Sequence, residues 1–136
     1  MSKLEEVANG VIIRNESYLA VKEKKDSYWK LPGGGLGEGE TPEQALAREL
    51  KEEIGVTDAR LDIKLCEFNL NFKKRNFRFY SYLVKTNQEP RKNEEDLILE
   101  WQSLERMLDE NQAPSQRIIY QSLKDLGIIK WKKQFW

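Results

Sequence analysis

At 136 residues, 39% of them hydrophobic and 34% charged, the chain is long enough to bury a core as one domain over residues 1–136 without staples. Its 23 basic and 23 acidic residues cancel, which supports neither a general nucleic-acid binder nor a membrane binder, so neither DNA nor a membrane is expected as a partner. The absence of histidine removes histidine triads, histidine zinc sites and histidine general bases, and leaves proton and metal chemistry to carboxylates, lysine, tyrosine or the single cysteine, Cys66.

The N-terminal MSKLEEVANG has no long apolar run and no small-residue cleavage site, so no signal peptide is expected. No stretch approaches the ~20 apolar residues of a membrane span. One cysteine forms no internal disulfide, which fits a reducing compartment, and the expected location is cytoplasmic. Val7 to Arg14 and Tyr18 to Lys25 are β-rich and flank the turn-like Asn15-Glu16-Ser17. Trp29-Lys30-Leu31 reads as a short extended piece ending at Pro32, followed by a glycine-rich loop from Gly33 to Gly39. A helix then starts with clear punctuation: Thr41 as N-cap, Pro42 at the first helical position and Gln44 completing a capping box. Leu46, Leu50 and Ile54 recur every four residues as its buried stripe, and Gly55 ends it.

Leu61, Ile63 and Leu65 alternate and lead into Phe68, Leu70 and Phe72, with Cys66 as an ordinary sheet or core residue. The turn-like Lys73-Lys74-Arg75-Asn76 and the return strand Phe77 to Lys85 complete a long hairpin. After the polar run Asn87 to Asp96 come a short strand, Leu97 to Trp101, a short helix, Leu104 to Leu108, and an amphipathic helix, Ser115 to Leu126, stopped by Gly127. The aromatic tail Trp131 to Trp136 fits either a cover on the sheet or a homodimer contact. Strands interleaved with helices predict an α/β chain: a mixed sheet with helices on both faces.

The chemistry concentrates between Gly34 and Val56. Glu49, Glu52 and Glu53 stand at i, i+3 and i+4 and so share one helix face, opposite the buried stripe. Like charges so spaced destabilise a bare helix unless solvent or a cation screens them. Hard carboxylate oxygens suit Mg²⁺, with Mn²⁺ as the alternative, and do not suit zinc. Gly33, Gly34 and Gly35 permit a close backbone approach that other residues forbid. Arg48 carries a five-donor fork able to lock carboxylates, and Glu40 suits the start of the helix.

Gly34, Glu40, Arg48, Glu49, Leu50, Glu52, Glu53, Gly55 and Val56 match every defined position of the Nudix box, and Trp29, Leu31, Pro32 and Gly33 resemble its usual lead-in. The chain thus resembles the Nudix hydrolases, of the MutT-like kind. The resemblance implies a Nudix-type α/β/α sandwich and a Mg²⁺-dependent pyrophosphohydrolase acting on a small nucleotide substrate. It assigns metal binding to Glu49 and Glu53, with Glu52 assisting and a backbone carbonyl from Gly33, and makes Arg48 the residue that orients the glutamates. It also calls for a further acid outside the box. Glu94, Glu95 and Asp96 stand in the right region; Glu95 is favoured by its distance from Trp101 and Glu94 by its distance from the box.

Substrate-facing candidates are Lys22, where MutT-like members place a basic phosphate contact, Trp29, which fits a stacking ring or a packed residue equally, and Phe79 among the aromatics of the hairpin. The subfamily marks of ADP-sugar and diadenosine polyphosphate hydrolases are absent downstream of the box, where Phe72 stands instead. The short MutT-like chain and the W-x-L-P-G lead-in favour a nucleoside triphosphate, native or modified, or a small modified nucleotide. The alternatives are a non-catalytic nucleotide-sensing module, and a hydrolase of dinucleoside polyphosphates or RNA 5′ ends, for which the Lys73-Lys74-Arg75 turn is the sequence support.

Overall fold

The hub of the fold is β1 (Leu4–Arg14), whose alternating side chains feed two cores. A computed structural model describes residues 3–129. After β1 come β2 (Ser17–Glu23), β3 (Gly33–Gly35), α1 (Pro42–Ile54), β4 (Arg60–Phe72), β5 (Arg75–Lys85), β6 (Leu97–Ser103), a 3-10 turn (Leu104–Leu108) and α2 (Ser115–Asp125). The strand order is β4-β5-β1-β2-β6, with β3 paired to β1 off that path. β1 runs parallel to β5 from Leu4↔Asn76 to Ile12↔Val84, and the other pairings are antiparallel, so the sheet is mixed as predicted.

Because side chains alternate along a strand, Ala8 and Ile12 of β1 pack on one face with Leu46, Leu50 and Ile54 of α1, while Val11 packs on the other with Ile119 and Leu123 of α2. The α1 stripe is wholly buried, and each such aliphatic side chain contributes about 1.5–3 kcal/mol through removal from water. The helices therefore lie on opposite faces of the sheet, the layered arrangement expected from sequence. On the α2 side, the Tyr18 hydroxyl lies 3.0 Å from Oε1 of both Gln102 and Gln112, which ties β2 and β6 to the approach to α2. No helix among the described residues is long and apolar enough to cross a membrane.

Two local expectations need correction. The glycine loop begins as a strand: Gly33–Gly35 pairs with Val7–Asn9. That pairing is possible because Gly33 takes φ 146°, and a Cβ there would run into the Ala8 carbonyl and lie 2.6 Å from Asn9 Cα. The β4–β5 turn is tighter than the four residues read from sequence. Lys73 and Lys74 alone form it, both at positive φ, the turn geometry that matches strand twist. Arg75 and Asn76 already belong to β5, where Asn76 accepts from Asn71 across the hairpin at 2.7 Å. The short helix expected over Leu104–Leu108 is present with those bounds, as a 3-10 helix. The aromatic tail Trp131 to Trp136 lies outside the described residues.

Candidate active site

The start of α1 is held by the predicted capping box: Thr41 Oγ1 accepts from the Gln44 amide at 3.2 Å, and Gln44 Oε1 accepts from the Thr41 amide at 3.0 Å. With the apolar stripe pinned to the sheet, Arg48, Glu49, Glu52 and Glu53 are turned toward the glycine loop. Arg48 is the organiser. Its Nε and Nη2 donate to the two oxygens of Glu40, both at 2.8 Å; Nη1 donates to Glu49 at 2.9 Å and Glu52 at 3.3 Å; and Nη2 also reaches the Gly35 carbonyl at 3.1 Å. This is the fork geometry that a lysine cannot reproduce. The bond from Arg48, with that from the Gly37 amide, holds the Glu40 carboxyl down at about 2. Glu40 is thus a brace for the arginine that sets the acids.

Glu53 is in a different situation. It is only 7% exposed, and its carboxylate accepts from the Gly33 amide at 2.8 Å. Burial pushes its pKa up to about 8; the Gly33 bond and Lys30 oppose the shift, and the charges of Glu49 and Glu94 add to it. The Glu49 carboxyl group lies directly over Gly34, where a Cβ would come within 2.5 Å of its carboxyl carbon. A buried carboxylate, crowded by other carboxylates and seated against a backbone cradle with no room for a side chain, is an arrangement that a divalent cation relieves. The oxygen-only donor set suits Mg²⁺ or Mn²⁺. Among the described residues no three acidic or cysteine side chains already converge as a finished cage. The carboxylates are engaged instead by Arg48 and the Gly33 amide.

The polar run before β6 is fastened to the C-terminal end of α1. The Arg91 amide donates to the Ile54 carbonyl at 2.9 Å and the Asn93 amide to the Glu53 carbonyl at 2.9 Å. These bonds satisfy carbonyls that a helix end leaves free, and they bring Glu94 close enough for its charge to act on Glu53. Glu94 and Glu95 are both exposed and line one cleft with Glu23, Lys24 and Asp96; of the two, Glu94 is the one whose charge acts on Glu53.

On the α2 face, a cavity of about 240 Å³ opens beside Gly33 and Gly34, walled by Tyr28, Leu70, Phe72, Phe77 and Phe79. Phe79 stacks on Phe68 at 5.2 Å, and Tyr28 meets Phe72 edge-on at 5.6 Å. Phe79 is thus at a ligand-accessible wall. Trp29 is not: it is 9% exposed within the second core, and its backbone pairs with Asn111 and Ala113 ahead of α2. Of the two readings open for it, stacking or packing, the structure has it packed. The Lys22 ammonium sits 5.3 Å over the Trp29 ring and does not line the cavity. Lys30 does both things expected of a phosphate-side cation, lining the cavity and acting on Glu53. Sequence reading passed over it, although it occupies the variable position of the W-x-L-P-G segment. A larger groove of about 820 Å³ lies along Lys3–Glu6 and Gly35–Glu40, but two of its acids, Glu5 and Glu40, are already paired with Arg75 and Arg48.

Comparison with known proteins identifies the family and the fold. The family described as NUDIX domain matches residues 4–123. Among curated proteins, the 8-oxo-dGTP diphosphatase of Haemophilus influenzae is 42% identical over 89 residues, covering 60% of this chain and 63% of that protein. The RNA pyrophosphohydrolase of Mannheimia succiniciproducens is 43% identical over 58 residues, covering 41% of this chain and 28% of that protein. The chain therefore spans less than two thirds of the length of the curated relatives it matches. Among solved structures, a MutT NUDIX hydrolase from Burkholderia pseudomallei superposes with a TM-score of 0.76 at 26% identity, covering 90% of this chain and 99% of that one.

Proposed function

Since this chain belongs to the NUDIX domain family, we propose that it is a Mg²⁺-dependent hydrolase, with Mn²⁺ as the alternative ion, that cuts a pyrophosphate linkage in a nucleoside diphosphate derivative, with a native or modified nucleoside triphosphate as the favoured substrate. The observation that carries the reading is Glu53. It is a buried carboxylate next to Glu49 and Glu94, against a backbone cradle and beside an aromatic cavity. Glu49 and Glu53 would hold the ion with the Gly33 carbonyl, and Glu52 and Glu94 are the further acids within the site. A divalent ion bound there supplies Lewis-acid polarisation and neutralises charge on the diphosphate oxygens.

The chain's own residues do the rest. Arg48, braced by Glu40, keeps Glu49 and Glu52 in fixed orientations, so little ordering is left to be done when substrate arrives. Glu94 is the candidate proton acceptor for the attacking water, because its charge reaches Glu53 while Arg48 holds none of its oxygens. Lys30 offers its ammonium between the carboxylates and the cavity, where it would meet substrate phosphate. The rings of Phe79 and Tyr28 would hold the base, leaving the phosphates toward Gly33 and Gly34.

The test is pyrophosphate or phosphate release from a panel of nucleoside triphosphates with Mg²⁺ and with Mn²⁺, repeated on Glu53→Gln. The variant is expected to fold and to lose about two orders of magnitude or more in turnover. Turnover like that of the parent protein would overturn the assignment. Tight nucleotide binding without hydrolysis, by folded metal-loaded protein, would favour a non-catalytic sensing module. A second reading, hydrolysis at RNA 5′ ends, is supported by Lys73, whose ammonium lies 4.9 Å from the Tyr28 ring centroid at the cavity wall. Affinity for triphosphorylated RNA that falls steeply with salt would favour it.

A further inference from the structure

The geometry points to Asn9 as a specificity-determining residue of the aromatic cavity, selecting a base whose inserted edge carries a carbonyl oxygen over one that carries an amino group. This rests on the proposed function, in which the cavity receives the base. Asn9 lies in β1 between Gly33 of β3 and Ser81 of β5, its partners across the sheet on either side. It is 5% exposed, and its small accessible surface is part of the cavity lining. The Ser81 hydroxyl, fully buried, donates to Asn9 Oδ1 at 2.6 Å. A primary amide held by its oxygen must direct its NH₂ elsewhere. Among the described residues nothing accepts from that NH₂, nor is it sealed away as a buried unpaired group. It is a donor waiting at a wall of the cavity.

The remaining polar lining points the same way. No aspartate or glutamate lines the cavity, whereas Lys30 and Arg75 do. The cavity also touches Pro114, which has no N–H, and Ser115, where α2 starts without a side-chain cap; the next amide, that of Gln116, already donates to the Ala113 carbonyl at 2.9 Å. The positive end of the helix dipole again favours an acceptor. A keto oxygen set against Asn9 meets a donor; an exocyclic amino group in the same place meets a donor where it needs an acceptor. A site built to bond one group discriminates against the analogue lacking it because its own buried polar atom is then left without a partner. The cavity, at about 240 Å³, is also below the size of a drug-like pocket, so it takes one ring system with little room for water to stand in as a bridge.

Inosine monophosphate and adenosine monophosphate differ at C6, which bears a carbonyl or an amino group, and at the adjacent N1, which is an N–H or an acceptor, and their binding can be measured without turnover. Isothermal titration calorimetry in Mg²⁺ is expected to give wild-type protein a preference for the inosine nucleotide on the order of 10-fold, the worth of about one hydrogen bond. Asn9→Leu, close in volume, should bring the two affinities together by weakening the inosine nucleotide. Ser81→Ala keeps the amide but frees its orientation, and should give a smaller loss of preference. Equal affinities in the wild-type protein, absence of binding by both nucleotides, or an undiminished preference in folded Asn9→Leu would each overturn the inference. If Asn9→Leu fails to fold by circular dichroism, full retention of the preference in Ser81→Ala overturns it instead. Hydrolysis with equal binding would sink this inference alone, and discrimination without hydrolysis would sink the proposed activity alone.

Discussion

Three consecutive glycines provide a sharp test of the site because they meet different obstacles. A methyl group at Gly34 would lie 2.5 Å from the carboxyl carbon of Glu49 and 2.7 and 2.8 Å from its oxygens, whereas ordinary contact begins at 3.4 Å. The obstacle is the far end of a flexible side chain, so the carboxylate can swing away by about 0.9 Å and the fold is expected to survive. Catalytic geometry is less forgiving, since a displacement of about 1 Å can cost on the order of 100-fold in rate. Gly34→Ala should therefore keep a melting temperature near that of the parent while kcat for nucleotide hydrolysis falls about 100-fold. At Gly35 the nearest atom to a new Cβ is the Glu6 carbonyl oxygen at 3.8 Å, so Gly35→Ala should be close to neutral in both measurements. At Gly33 the new atom would strike the backbone of Ala8 and Asn9 at a φ that alanine rarely adopts, so Gly33→Ala should lose stability as well as turnover. Thermal melts and steady-state kinetics on the three variants decide the matter. Undiminished turnover in Gly34→Ala, or equal losses at Gly34 and Gly35, would refute the placement of Glu49 over this backbone.

The other expectations concern the acid brace and the core. Glu40 is held well below the ordinary carboxylate range by Arg48, so the stability it contributes is present above its unfolded value and is lost as pH falls from about 4.5 toward 2. Wild-type protein and Glu40→Gln should accordingly differ in melting temperature near neutrality and converge in acid; a difference that persists unchanged to pH 2 would show that the Arg48 bond is not its source. Leu50, wholly buried between α1 and the sheet, should cost about 2–5 kcal/mol when changed to alanine, read as a lower urea midpoint. A change below about 1 kcal/mol would mean that the helix is not anchored through this stripe.

Chain order left a clear record of some parts of the molecule and little of others. Thr41, Pro42, Gln44 and Gly55 act on the backbone within a turn of themselves, and the α1 stripe follows from helical period, so the helix and its acidic face could be read directly; both ends of α1 agree with the structure. The mixed sheet followed from strand patterning, yet the parallel pairing of β1 with β5 joins residues about 70 positions apart and rests on packing that no local pattern records. The same distance in sequence hides the fastening of the polar run to the end of α1 through the Arg91 and Asn93 amides. It also hides the fate of Trp29, since a tryptophan has the same composition whether it lines a pocket or fills a core.

What sequence alone determined is therefore the chemistry that short-range geometry can express: three glutamates and an arginine on one helix, capped and oriented beside a run of glycines. Tertiary structure decided which groups share their space. It buried Glu53 beside Glu49, brought Glu94 and Lys30 within range of it, and set Asn9 under an aromatic cavity. The physical reason is the reach of the interactions: capping and helical period act over a few residues, whereas desolvation and electrostatics depend on every atom nearby, however far along the chain it lies.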